Sequence, residues 1–138
     1  TGIDFCKLAI VETKGVAAKT VAILEDRLSD IIDQIDVPLT INVNGCPNSC
    51  ARIQVADIGL KGQLVMDDQG NQVGGYQIHL GGTLGLEAGF GRKVRGLKTT
   101  VEGLPVYVER VVRHFVADRE PGERFATWAL RADEDLLV

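Results

Sequence analysis

Cys46 and Cys50 flank the tripeptide Pro47-Asn48-Ser49, and a third cysteine, Cys6, stands far upstream. Thiolates are soft ligands, and cysteines spaced along loops suit an iron–sulfur cluster or zinc. Backbone N–H groups at the start of a following helix would help to hold an anionic centre. A free cysteine also serves as a small buried hydrophobe, and that is the plain reading of Cys6 taken alone. The Gly45-Cys46-Pro47-Asn48-Ser49-Cys50 turn favours ligation, because it sends two thiols out of one tight bend. Three is an odd count, and the opening residues lack the charged-then-apolar form of a secretory signal. Metal or redox chemistry is therefore expected in place of a disulfide framework.

Several elements must position this turn. Ala17, Val21, Leu24, Leu28, Ile31, Ile32 and Ile35 recur at steps of three and four, with Glu25, Asp26, Arg27, Ser29, Asp30 and Asp33 between them. That spacing predicts an amphipathic helix over 17–35. After Pro38, Leu39, Ile41 and Val43 alternate with Thr40 and Asn42, which predicts a half-buried strand ending at Asn44-Gly45. The apolar run 51–58 predicts a short helix closed by Gly59. Residues 63–66 and 76–80 flank Asp67-Asp68-Gln69-Gly70-Asn71 and predict a hairpin. Pro105 opens a second amphipathic helix bearing Val108, Val111, Val112, Phe115 and Val116, and Phe125, Trp128 and Leu130 predict a last helical turn or strand. The fold class expected is α+β, a short and mainly antiparallel sheet packed against two longer amphipathic helices.

At 138 residues and 45% hydrophobic content the chain fits one domain, 1–138, with a single core. The 15 Lys and Arg against 19 Asp and Glu give a net charge of −4, with no basic excess for nucleic acid or an anionic membrane. No apolar run approaches the roughly 20 residues of a membrane span. The composition is that expected of an intracellular protein. Thr1 is not Met and the pattern opens abruptly at Thr1-Gly2-Ile3-Asp4-Phe5-Cys6, as in a piece of a longer polypeptide.

Asn44-Gly45-Cys46-Pro47-Asn48-Ser49-Cys50-Ala51-Arg52 resembles the C-x3-C half of the siroheme and 4Fe-4S signature of assimilatory nitrite and sulfite reductases. The Thr1 to Ala9 segment with Glu12-Thr13-Lys14 resembles the other half, a C-x5-C element, and the likeness continues through 58–62, His79-Leu80-Gly81-Gly82 and 125–131. It implies a nitrite/sulfite reductase 4Fe-4S domain, C-terminal in its parent and truncated at its own N-terminus, with the fourth cysteine immediately before Thr1. It also implies a cluster held by Cys6, Cys46 and Cys50 plus that cysteine, and Cys50 bridging to the siroheme iron. Electrons from ferredoxin or a flavoprotein would reduce sulfite to sulfide, or nitrite to ammonia. The cytoplasm is the implied compartment, or the plastid stroma in a plant. The parent's N-terminal half would be the partner supplying most anion-binding residues, so no catalytic residue is assigned here. The isolated piece is expected to have its cofactors incomplete or absent, to be inactive, and to pair as a homodimer over the uncovered face.

Arg52, two residues after Cys50, is a candidate for cofactor carboxylates or simply a solvated helix residue, and Lys7 and Lys14 are weaker candidates. Asn48 is either a cofactor contact or an Asx-turn residue. Gly45, Gly81 and Gly82 allow backbone to approach a large group. Arg92, Lys93, Arg95 and Lys98 form the one basic cluster, read as a solvated loop before a docking site for an acidic ferredoxin. His79 and His114 read as structural. The competing function is a small zinc-binding or thiol-based interaction module using the cysteines with His79 or His114. A domain that keeps the fold without cofactors is a further alternative.

Overall fold

A computed structural model describes residues 2–86 and 88–138, with Lys93 by its backbone alone. Thr1, which opens the cysteine motif, and the Lys93 side chain of the basic cluster lie outside the described residues. The elements are α1 (Lys14–Arg27), β1 (Ile41–Asn44), β2 (Ile58–Met66), β3 (Gln72–Leu80), β4 (Arg92–Thr100), α2 (Leu104–Asp118), α3 (Phe125–Arg131) and α4 (Glu134–Leu137). One sheet runs in the order β1-β2-β3-β4. The expected α+β class and mainly antiparallel sheet stand, with one parallel pair, β1 with β2. Parallel neighbours need a crossover of about a dozen residues or more, usually a helix. Here the crossover is the cysteine-bearing segment 45–57.

Helix α1 is shorter than the periodicity of 17–35 predicts, and its end is set by a residue from another helix. Arg113 of α2 donates Nη2 to the Arg27 carbonyl at 2.7 Å and grips both Asp30 carboxylate oxygens at 2.9 and 3.0 Å. Ser29 Oγ takes the Asp26 carbonyl at 2.8 Å. With those carbonyls occupied, the chain turns and continues as a single 3-10 turn, Ile32–Gln34. Leu28, Ile31 and Ile35 still reach the core. At the other end Thr13 occupies the cap position, but its buried hydroxyl makes no hydrogen bond among the described residues. Glu12 does that work: Oε1 accepts from Lys14 N–H at 2.8 Å and Oε2 from Val16 N–H at 2.9 Å.

The hairpin forms with longer strands than expected, pairing Ile58 with Leu80 through Met66 with Gln72. Asp67 organises its turn by accepting from the Gln69 and Asn71 N–H groups, while Gly70 takes a positive φ of 82°. The basic cluster, read as a loop, is strand β4. A bulge opposite Gln77–His79, with Gly96 at φ 78°, lets Val94 and Leu97 both face the core. That spacing of three hides the strand from a search for period two. Buried Gln77 satisfies the bulge by donating Nε2 to the Leu97 carbonyl at 2.7 Å.

Ile58, Leu60, Ile78 and Leu80 are fully buried. The core also holds Val108, Val111 and Val112 of α2 and a cluster of Phe115, Phe125 and Trp128 with ring centroids 5.2–5.5 Å apart. Trp128 donates Nε1 to Asp118 at 2.8 Å, and the last segment is helix, the first of the two forms expected. Truncating Phe115 to Ala is expected to lower unfolding stability by about 3–5 kcal/mol, read as the urea midpoint.

The Glu12 carboxyl yields a pH prediction. Desolvation opposes its charge, but the N–H groups of Val16, Thr13, Lys14 and Gly15 outweigh it and hold the pKa below the ordinary 4.5. A depressed folded pKa means that the stabilisation is present above pH 4.5 and is lost as pH falls through the folded value. Glu12→Gln should lower the melting temperature at neutral pH and converge on the wild type in acid.

Candidate functional site

The expected helix over 51–58 is absent; the segment folds as a strained loop with one 3-10 turn, Ile53–Val55, before Ile58 opens β2. Two asparagines explain why. Asn42 Nδ2 donates to the Ala51 carbonyl at 2.9 Å, and Asn44 Oδ1 accepts from the Ala51 N–H at 2.9 Å, so both backbone groups of Ala51 are taken. Asn44 Nδ2 also donates to the Cys46 carbonyl. Ser49 and Arg52 adopt left-handed backbone, with φ of 59° and 52°. Such conformations are uncommon outside glycine and persist where surroundings over-determine them. Here the surroundings are Asn44, Asn42, the Ser49 Oγ to Gln54 Oε1 bond at 2.7 Å, and the Arg52 N–H to Ser49 carbonyl bond at 2.8 Å.

The loop lies directly on the sheet because glycines leave room. A Cβ on Gly59 would overlap the Ile53 carbonyl oxygen, and one on Gly82 would overlap that of Gln54. A Cβ on Gly62 would stand 2.5 Å from the Gly45 carbonyl carbon and 2.6 Å from Val11. Gly59, read as a helix end, is thus a strand residue chosen for close approach. The Gly45 carbonyl accepts from Ile10 N–H at 2.8 Å and Val11 N–H at 3.1 Å, which fastens the segment after Cys6 to the turn that holds Cys46.

All three cysteines are free thiols; Cys46 is buried, Cys6 half-buried and Cys50 exposed. Asn48 and Arg52 are exposed on the same loop, and Arg52 caps the 3-10 turn where the first turn of a helix was expected. Gly45 is buried and acts through its carbonyl. Lys7 is exposed, and Lys14 Nζ sits 4.1 Å from the centre of the Phe5 ring. His114 Nδ1 lies 2.8 Å from the Leu136 carbonyl, away from the cysteines in sequence and engaged with α4. His79 sits in β3 opposite Gly59. Among the described residues no three His, Cys, Asp or Glu side chains converge closely enough for one metal ion. A compact zinc site with either histidine is therefore not formed.

A 4Fe-4S cluster takes four thiolates at separate corners. Three free thiols stand on two short loops, and those loops are bound to one another through Gly45. By donor chemistry the three thiols suit cluster corners, although among the described residues they do not converge into one close group.

Residues 2–136 match the family described as the nitrite and sulphite reductase 4Fe-4S domain. The chain belongs to that family. This 4Fe-4S domain is 62% identical over 137 residues to sulfite reductase [ferredoxin] 2 of Mycolicibacterium paratuberculosis, covering 99% of the chain and 25% of the relative. It is 33% identical to the chloroplastic ferredoxin–nitrite reductase of Betula pendula, covering 89% of the chain and 21% of the relative. The solved structure of the NirA protein of Mycobacterium tuberculosis superposes with a TM-score of 0.95 at 59% identity, over 99% of this chain and 25% of that one. The 4Fe-4S domain thus spans about a quarter of the length of these relatives. Among the described residues no helix is long and apolar enough to cross a membrane.

The clamping roles of Asn42, Asn44 and Gln54 are visible only in the fold, since the sequence pattern places Asn42 and Asn44 simply on the strand. The pair Asn42 and Asn44 at the end of a strand just before a cysteine turn was the available signal, since such residues hold backbone outside helices. Asn44→Ala should cost about 1–3 kcal/mol by leaving buried backbone groups unpaired. Gly59→Ala should melt far below the wild type, whereas Gly89→Ala, with open space around it, should not.

Proposed function

We propose that this domain holds a 4Fe-4S cluster and siroheme in a reductase that carries out the six-electron reduction of sulfite to sulfide or nitrite to ammonia. What carries the reading is the fastening of the Cys6 and Cys46 segments through Gly45, in a chain of this family. Cys6, Cys46 and Cys50 would hold three corners of the cluster. The fourth thiolate would come from a cysteine preceding Thr1. The exposed Cys50 is the thiol suited to be shared with the siroheme iron, and exposed Asn48 and Arg52 stand beside it to meet the carboxylates of the macrocycle. When bound, the two cofactors supply stepwise electron delivery to an anion on the haem iron.

This chain's own residues orient and exclude. Asn44 and Asn42 fix the turn in one conformation, and buried Cys46 faces protein while Cys50 faces outward. Beside the loop, the Gln54 carbonyl accepts from the Gly91 N–H at 2.6 Å, and the segment between β3 and β4 exposes Leu84, Leu86 and Phe90. Apolar groups so exposed are best explained by cover from the rest of a longer parent, its N-terminal half. Ferredoxin, named for the relatives, or a flavoprotein would be the electron donor.

In the full-length reductase, Cys50→Ser is expected to bring reduction of sulfite and of nitrite to background with either reduced ferredoxin or methyl viologen, and to alter the visible spectrum. His114→Ala and His79→Ala should keep turnover; an equal loss at His79 would point to a histidine-containing metal site. The isolated chain should be inactive, poor in iron and dimeric by light scattering. A brown, iron-replete monomer reducing either anion would overturn this reading.

A further inference from the structure

We propose that the groove between β4 and α2 is the docking surface for an acidic electron-donor protein, an inference that rests on the reductase reading above. Strand β4 is an edge of the sheet, and Arg95 and Lys98 are exposed on it. Arg110 enters the same groove from α2, its guanidinium 5.7 Å from the centre of the Tyr107 ring. The groove has a volume of about 560 Å³, and half-exposed Val106 provides an apolar patch among the cations. A basic rim around an apolar patch is a common form of protein interface.

The charge is available for a partner. Arg27, Arg92, Arg113, Arg119 and Arg131 each pair with a carboxylate, whereas Arg95, Lys98 and Arg110 make no ion pair among the described residues. Three unspent cations at one groove are a local excess in a chain of net charge −4. Charges on the strand alone would suffice to guard an edge against aggregation. Arg110 comes from a helix, so its convergence on the groove calls for another reason. The Gly96 bulge disturbs the strand edge, which disfavours addition of a partner strand and favours contact through side-chain charge.

Register places the groove within reach of the cysteine loop. Asn44 pairs with Lys61, Lys61 with Gln77 and Gln77 with Lys98. Three strand steps of about 4.8 Å put Lys98 roughly 14 Å from the residue that clamps Cys46. An acidic donor seated on β4 would thus lie across the four-stranded sheet from the end of β1 that leads into the cysteine turn. Complementary charge would speed its encounter and make binding weaken with salt.

The test is the charge-reversed triple variant R95E/K98E/R110E in the full-length reductase, with the single reversal R124E as a control at an exposed cation elsewhere. Titration calorimetry with oxidised plant-type ferredoxin reads binding independently of turnover. The expected result is a Kd and a ferredoxin KM raised about tenfold or more at low salt, with the difference shrinking at high salt. The methyl viologen rate and the R124E variant should match the wild type. Unchanged ferredoxin binding, or an equal fall with both donors, would overturn the proposal. Should the triple variant fail to fold, R95Q and K98Q measured singly carry the same expectation at smaller size. A wild type that binds ferredoxin through this groove yet reduces neither anion would sink the reductase reading and leave the docking surface standing.

Discussion

The arrangement depends on one backbone contact: the Gly45 carbonyl, just past β1, receives the N–H groups of Ile10 and Val11 while its chain rests on Gly62 of β2. No side chain can intervene there. The contact joins three stretches distant in sequence, the Cys6 segment, the Cys46 turn and the central strand. Val11 follows it into the core, where it covers Gly62 and Gly74. Close packing of this kind has little tolerance for an added methyl group.

From that point the sheet divides its labour. The layer of Ile58, Leu60, Ile78 and Leu80 packs with α2 and the aromatic cluster, and this apolar burial is the main stabilising term. The opposite corner, around Gly59 and Gly82, takes the cysteine crossover with polar clamps from Asn42, Asn44 and Gln54. Ion pairs such as Arg113 with Asp30 lie near the surface and add little energy, yet with the Arg113 bond to the Arg27 carbonyl this one decides where α1 stops. A rigid apolar layer thus carries a loop whose thiols are held at graded depths.

Membership of the nitrite and sulphite reductase 4Fe-4S domain family accounts for this design. Loops already held in register lose less conformational entropy on binding a group than loops that must be ordered by it. Asparagine clamps and glycine contacts provide that order in the chain alone. The exposed Leu84, Leu86 and Phe90 beside it agree with a domain that is about a quarter of its relatives' length.

Local chemistry is what could be read from the residues: the cysteine motif, the α2 face, the hairpin around Asp67-Asp68-Gln69-Gly70-Asn71 and the α+β class all rest on spacing within a few positions. Where the reading failed, a distant partner had decided the outcome. Helix α1 ended early because Arg113 captured its carbonyl, and the 51–58 helix was lost because Asn42 and Asn44 took the backbone of Ala51. β4 went unseen because Gln77, a neighbour only in space, satisfies its bulge. Helix and strand periods record which faces are apolar, but not which long-range hydrogen bond will claim a backbone group. Only the folded chain assigns those partners, because each is brought within reach by packing that involves all the others.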